Sequence, residues 1–162
     1  MLDYRGYGKS GGAISSEGQL HADVRAVYNS LKGRYNEADI IILGYSIGTG
    51  PAARLASESG AGRLVLQAPY YSLAGVMAAF YPAIPRFILK YKLETNKYIA
   101  GCRMPVVLIH GDQDAVISYE SSVRLKALLK PGDTLITLRG QGHNGITENP
   151  QYLQSLRQIL GE

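Results

Sequence analysis

Gly44-Tyr45-Ser46-Ile47-Gly48 decides the reading of this 162-residue chain. Before it stands Ile40-Ile41-Ile42-Leu43, a short, uncharged, β-branched run that suits a parallel strand covered on both faces. After it Ile47, Ala52, Ala53, Leu55 and Ala56 continue as a helix, with Pro51 early enough for its missing N–H to be tolerated. A G-x-S-x-G between strand and helix places its serine on a turn so sharp that the backbone is strained. Side chains two residues to either side are expected to collide there. The turn lifts the Ser46 hydroxyl above the sheet and aims the Ile47 N–H at a developing oxyanion, with the helix N-terminus adding partial positive charge. Gly44 is expected to end the strand. Tyr45 and Ile47 either line a pocket or simply pack.

Outward from this turn, strand and helix alternate. Ser16 and Gln19 have the spacing of a capping box, and Leu20, Val24, Val27 and Leu31 follow at helical intervals, predicting a helix from Glu17 to Arg34. Arg63–Gln67, Val106–Ile109 and Leu135–Leu138 read as strands. Ser118–Leu129 reads as a helix stopped by Pro131-Gly132. Asn149-Pro150 caps a last helix with Leu153, Leu156, Ile159 and Leu160 on one face. Pro69–Met104 is a long connection, read as a small lid-like insertion in a single domain spanning 1–162, and its aromatics either form an acyl or alcohol pocket or simply cover the sheet. Short helices are expected at Leu73–Phe80 and Pro85–Tyr91. Alternation of this kind means an α/β fold with a mostly parallel sheet and helices on both faces.

Composition narrows the function classes. Hydrophobic residues make up 46% and charged residues 19%, ordinary values for a chain with a buried core. The net charge of +4 comes from scattered lysines and arginines, with no basic stripe interleaved with aromatics, which argues against nucleic acid as a partner. A single cysteine, Cys102, permits no internal disulfide and no cysteine-based metal site; it reads as a packing residue. No apolar run is long enough to span a bilayer, and without a signal peptide ahead of Asp3 the expected location is cytoplasmic.

A nucleophilic serine needs a base, and the base an orienting acid. Of three histidines, His143 lies in the loop after the last strand, where this fold presents a base. His21 falls inside the first helix, and His110 ends a strand under the following loop; both read as structural. Asp112 and Asp114 both follow the third strand. Asp114 lies further into the loop, within reach of a histidine, and is favoured; Asp112 is placed to brace the turn. The chain order is then serine, aspartate, histidine.

These segments resemble the α/β-hydrolase superfamily, and within it the Bem46-like branch, which is similar to serine aminopeptidase-type and lipase-type hydrolases. Asp3-Tyr4-Arg5-Gly6-Tyr7-Gly8-Lys9-Ser10 resembles the loop after that family's fourth strand. Gly44 to Gly50 resembles its elbow, Pro105 to Gly111 with Asp114 its acid segment, and Gly142-His143-Asn144 its histidine loop. The resemblance implies hydrolysis of an ester, thioester or amide of a small-molecule substrate, with no cofactor or metal. It also implies strands five to eight of a larger sheet, because the family's first strands, and the His-Gly loop that gives a second oxyanion donor, do not precede Met1. Two expectations follow. The Ile40–Leu43 strand becomes a bare apolar edge through which the chain self-associates as a homo-oligomer. Turnover suffers by roughly a hundred- to a thousandfold if Ile47 is the one oxyanion donor.

Overall fold

The computed structural model describes residues 3–81, 83 and 89–161. Four strands, β1 (Ile41–Tyr45), β2 (Arg63–Gln67), β3 (Val106–Gly111) and β4 (Thr134–Leu138), form a parallel sheet in the order β1-β2-β3-β4. Between and around them run α1 (Glu17–Lys32), α2 (Thr49–Ser57), α3 (Leu73–Phe80), α4 (Thr95–Ile99), α5 (Glu120–Lys126) and α6 (Pro150–Leu160).

The pleat of the strands sorts the core into two layers. Ile42, Leu64, Leu66, Val106 and Leu108 face one side, where they pack with Tyr28 of α1, Ala53 and Ala56 of α2, Ile99 of α4 and Leu125 of α5. Val65, Ile109 and Leu138 face the other, against Tyr152, Leu156 and Ile159 of α6. Polar tips tie α6 down: Gln67 Nε2 donates to the Tyr152 hydroxyl and the Arg63 guanidinium to the Ile159 carbonyl.

Helix α6 covers β2, β3 and β4 but leaves β1 open on its side. Ile41 and Leu43 are 37% and 49% exposed, whereas Ile42 between them is buried. The expected cover on both faces of this strand is therefore found on one face only, because among the described residues α6 packs on the neighbouring strands and not on β1. β1 does lie at the sheet edge, with no strand beyond it among the described residues.

Several boundaries shift for local reasons. α1 starts at its Ser16 cap, whose hydroxyl accepts the Gln19 N–H at 3.1 Å. The reciprocal half of the box closes one residue earlier than expected, with Gln19 Oε1 accepting from the Ser15 N–H at 2.7 Å. Gly44 does not end β1; pairing continues through Tyr45 opposite Gln67. The chain then makes a 3-10 turn at Ser46–Gly48 before α2 begins at Thr49. β3 likewise runs on to Gly111. α4 has no counterpart in the sequence reading, and most of the expected Pro85–Tyr91 helix lies outside the described residues.

Candidate active site

All four strands point their C-terminal ends the same way, and the residues singled out above sit at those ends. The turn after β1 holds Ser46 at φ 49°, a left-handed conformation for a residue with a side chain, which costs on the order of 1–3 kcal/mol. Close packing of strand on helix makes the turn possible. A Cβ on Gly44 would lie 2.7 Å from the Ala52 Cβ and 2.8 Å from the Gly48 carbonyl oxygen. The collision expected at Gly48 is absent: a Cβ there would first meet the Tyr4 hydroxyl at 3.4 Å. The steric demand therefore lies on the strand side, where β1 meets α2. Ile47 stands in the first turn, where N–H groups have no intrahelical acceptor.

From below, Tyr70 braces this turn. Its buried hydroxyl accepts the Gly50 N–H at 3.0 Å and donates to the Ile47 carbonyl at 3.1 Å. Burial holds the phenol far above its usual pKa, so it stays protonated and keeps its donor.

The loop after β4 brings His143 across the sheet. Its Nε2 is 3.0 Å from the Ser46 hydroxyl and its Nδ1 is 2.7 Å from Asp114 Oδ2. The Nδ1 proton faces the carboxylate, which leaves Nε2 to accept from the serine. The loop is pinned from several sides. The Gln141 carbonyl accepts the Gln113 N–H at 3.1 Å, and Gln141 Nε2 donates to the Asn144 carbonyl at 2.7 Å. A Cβ on Gly111 would lie 2.1 Å from the Gln141 carbonyl oxygen, so glycine there lets the acid loop and the histidine loop touch.

Asp114 is buried and fully engaged. Oδ1 accepts the Val116 and Ile117 N–H groups, each at 2.8 Å; Oδ2 accepts from His143 and, at 3.1 Å, from His110 Nε2. Burial alone would raise its pKa, but the Ile117 N–H, His143 and the Val116 N–H outweigh it, and the carboxyl is held below its usual range. Asp112 instead accepts the Gly140 N–H at 2.7 Å and braces the turn.

Two contacts here were not foreseen. His110, wholly buried, donates from Nε2 toward Asp114 and the Ile117 carbonyl (3.0 Å), while its Nδ1 accepts from the Ser122 hydroxyl at 2.7 Å. Burial lowers its pKa against the pull of Asp114, so it is neutral and this tautomer follows from its partners. The i, i+4 spacing of His110 and Asp114 at a strand end was the available signal. The second is Tyr45, whose ring stacks on His143 at 5.5 Å between centroids while its hydroxyl donates to the His143 carbonyl at 2.8 Å. No local pattern announces a contact 98 residues away.

The remaining candidates fall elsewhere. His21 bonds to Glu17 within α1 at 3.3 Å. Cys102 is buried beside the Ala53 and Tyr98 carbonyls, and burial pushes its thiol up to about 11, which leaves it unreactive. Of the connection's aromatics, Tyr71 packs against the core under the Arg124 guanidinium, and Phe80 and Tyr81 are exposed. No group of three potential metal ligands occurs among the described residues.

A parallel sheet with a strained serine turn after one strand, an acid after a later one and a histidine after the last is α/β-hydrolase architecture. An α/β-hydrolase from Vibrio vulnificus superposes with a TM-score of 0.73 at 26% identity, over 98% of this chain and 61% of that one. An esterase from Pyrococcus furiosus gives 0.74 at 21% identity, over 98% and 66%. Residues 1–99 match the serine aminopeptidase, S33, family, and the chain belongs to that family. Alpha/beta hydrolase domain-containing protein 17C of Xenopus tropicalis is 33% identical over 160 residues, 98% of this chain. The chain spans about half the length of such curated relatives, 50% in that case.

Proposed function

We propose that this chain is a serine hydrolase of carboxylic esters or thioesters, working through an acyl-enzyme on Ser46. The observation that carries the reading is the continuous line from the Ser46 hydroxyl through His143 to Asp114, at 3.0 and 2.7 Å. Ser46 Oγ attacks the substrate carbonyl carbon as its proton passes to His143 Nε2. The carbonyl oxygen becomes an oxyanion beside the Ile47 N–H. The tetrahedral adduct collapses, and His143 returns the proton to the leaving alcohol or thiol. Water then attacks the acyl-enzyme, giving a proton to His143 and releasing the acid, and the proton returns to Ser46. Asp114 stays ionised throughout, holding His143 in the right tautomer and stabilising its charged form.

The test is labelling with a fluorophosphonate probe, read by intact mass, beside hydrolysis of p-nitrophenyl butyrate. One adduct per chain, absent in Ser46→Ala, is expected. A folded chain that takes no label sinks the proposal.

Among the described residues the outer edge of β1 is unpaired, which supports a second reading, in which the chain acts through association with a second copy of itself. Unpaired strand-edge groups flanked by exposed Ile41 and Leu43 favour pairing with another chain. Sedimentation velocity reads it directly: a dimer that Leu43→Lys dissociates is expected, and a monomer at micromolar concentration overturns it.

A further inference from the structure

Beside Ile47 a cavity of about 440 Å³ opens between the N-terminal loop and the end of the long connection. Ile14, Leu20, Ile47, Leu73, Tyr91 and Leu93 supply much of its wall. Resting on the reading of Ser46 as the acyl acceptor, we infer that this cavity receives the hydrocarbon chain of the substrate. The substrate class is then esters or thioesters carrying a medium-length aliphatic chain, in preference to acetyl or charged groups.

Two features of the wall lead there. The first is that most of the lining is apolar side chain or glycine, and two of its polar side chains already have partners. Arg5 also lines the cavity, but its guanidinium is taken up by Asp23, with contacts of 2.5 and 2.8 Å. The Tyr91 hydroxyl donates to the Ile14 carbonyl at 3.0 Å. A hydrocarbon chain entering here exchanges water for the side chains of Ile14, Leu20, Ile47, Leu73 and Leu93.

The second is that the two walls are fastened to each other. Besides the Tyr91–Ile14 bond, Glu17 Oε2 accepts the N–H groups of Lys92 and Leu93 at 2.8 and 3.4 Å. Leu93 is held at φ 38°, an uncommon conformation for leucine that turns the connection back toward the core. The cavity is therefore built into the fold, and a ligand does not have to open it against the core. It is also placed for the chemistry, because the residue whose N–H faces the oxyanion forms part of its wall.

The test avoids dependence on turnover. Ser46→Ala protein with labelled Ile and Leu methyls is titrated with methyl octanoate, octyl acetate and methyl butyrate. Shifts at Ile14, Leu73 and Leu93 are expected for a long-chain ester, with affinity at least tenfold above that for methyl butyrate, since each fully buried methylene is worth about fourfold. Tighter binding of methyl octanoate assigns the chain to the acyl side, and of octyl acetate to the alcohol side. Leu73→Trp, filling the cavity, lowers the long-ester affinity to that of the butyrate. Ala13→Phe, on the exposed opposite wall, does the same if the first variant does not fold. Equal affinity for long and short esters, or shifts confined to Ile41 and Leu43 on the open face of β1, overturns the inference. Fluorophosphonate labelling of Ser46 with a failed titration removes this inference alone; a successful titration without labelling overturns the Ser46 reading, and with it the assignment of the bound chain to a substrate.

Discussion

His143 and His110 approach the same carboxylate oxygen from two regions, the loop after β4 and the end of β3. One is open and one is sealed. The His143 side chain is 12% exposed and its Nε2 meets a serine on a strained turn. The His110 side chain is fully buried, and both its nitrogens are spent on Ser122, Asp114 and Ile117. The difference bears on which of the two can serve as the base proposed above. An imidazole whose nitrogens are both committed to buried partners can hold a proton in place but cannot pass one on. A group must keep one nitrogen toward a reacting atom to act as a base.

The strongest way to break this contrast is to remove each imidazole in turn. His143→Ala is expected to cost about 10⁵- to 10⁶-fold in kcat for p-nitrophenyl ester hydrolysis, as Ser46→Ala does, because the two act as a unit. His110→Asn is expected to cost about tenfold, through loosened placement of Asp114. Equal losses for the two histidines, measured on folded protein, would erase the distinction.

The shared carboxylate gives the next largest effect. Asp114→Asn is expected to lower kcat about 10⁴-fold by favouring the wrong His143 tautomer. Asp112→Asn, whose partner is the Gly140 N–H, should change kcat less than threefold and cost about 1 kcal/mol of stability. The sequence could rank these two acids but could not separate them. Both follow β3 by a few residues, and what divides them is the depth of the loop. Asp114 is folded under Val116 and Ile117, which donate both backbone N–H groups to it.

That case marks the general boundary. Order and type of the strands were readable because β-branched runs and turn residues are local signals. The three side chains that meet at the strand ends were readable because each stands in a glycine-bearing segment at a strand terminus. The short helix α4 was not: its five residues Thr95–Ile99 carry no periodic pattern, and it forms because Thr95 and Ile99 bury against α2 and the core. The half-open state of β1 was not readable either. A uniformly apolar strand predicts cover on two faces, and whether a helix reaches the second face is a property of the assembled layers.

A smaller effect tests the sealed histidine by pH. Its pKa is lowered in the folded chain by burial, so below about 6.5 the unfolded chain binds a proton that the folded chain resists. The unfolded state then carries more protons, so stability falls as pH drops from 7 to 5, with a slope of at most about 1.4 kcal/mol per pH unit for each such group. His21, also lowered chiefly by burial, adds to the same window. Asp114, whose pKa is lowered as well, gives up its contribution only below about pH 4. Urea unfolding midpoints across this range should therefore fall with pH, and His110→Asn should flatten the dependence without removing it. An unchanged slope in that variant would mean that His110 takes up its proton as readily in the folded chain as in the unfolded one.

The finest adjustment concerns what keeps the open histidine in place. Tyr45 holds it twice, by a stack and by a hydrogen bond to its carbonyl. Tyr45→Phe keeps the stack and removes the bond, a loss of about 1 kcal/mol, so kcat/KM should drop about fivefold with little change in KM. Tyr45→Ala removes both and should lose more. If Phe behaves as wild type while Ala does not, the ring alone fixes His143 and the hydroxyl serves only the loop. If both behave as wild type, Gln141 and the close approach at Gly111 suffice to hold the loop, and the openness of His143 costs the fold nothing in precision.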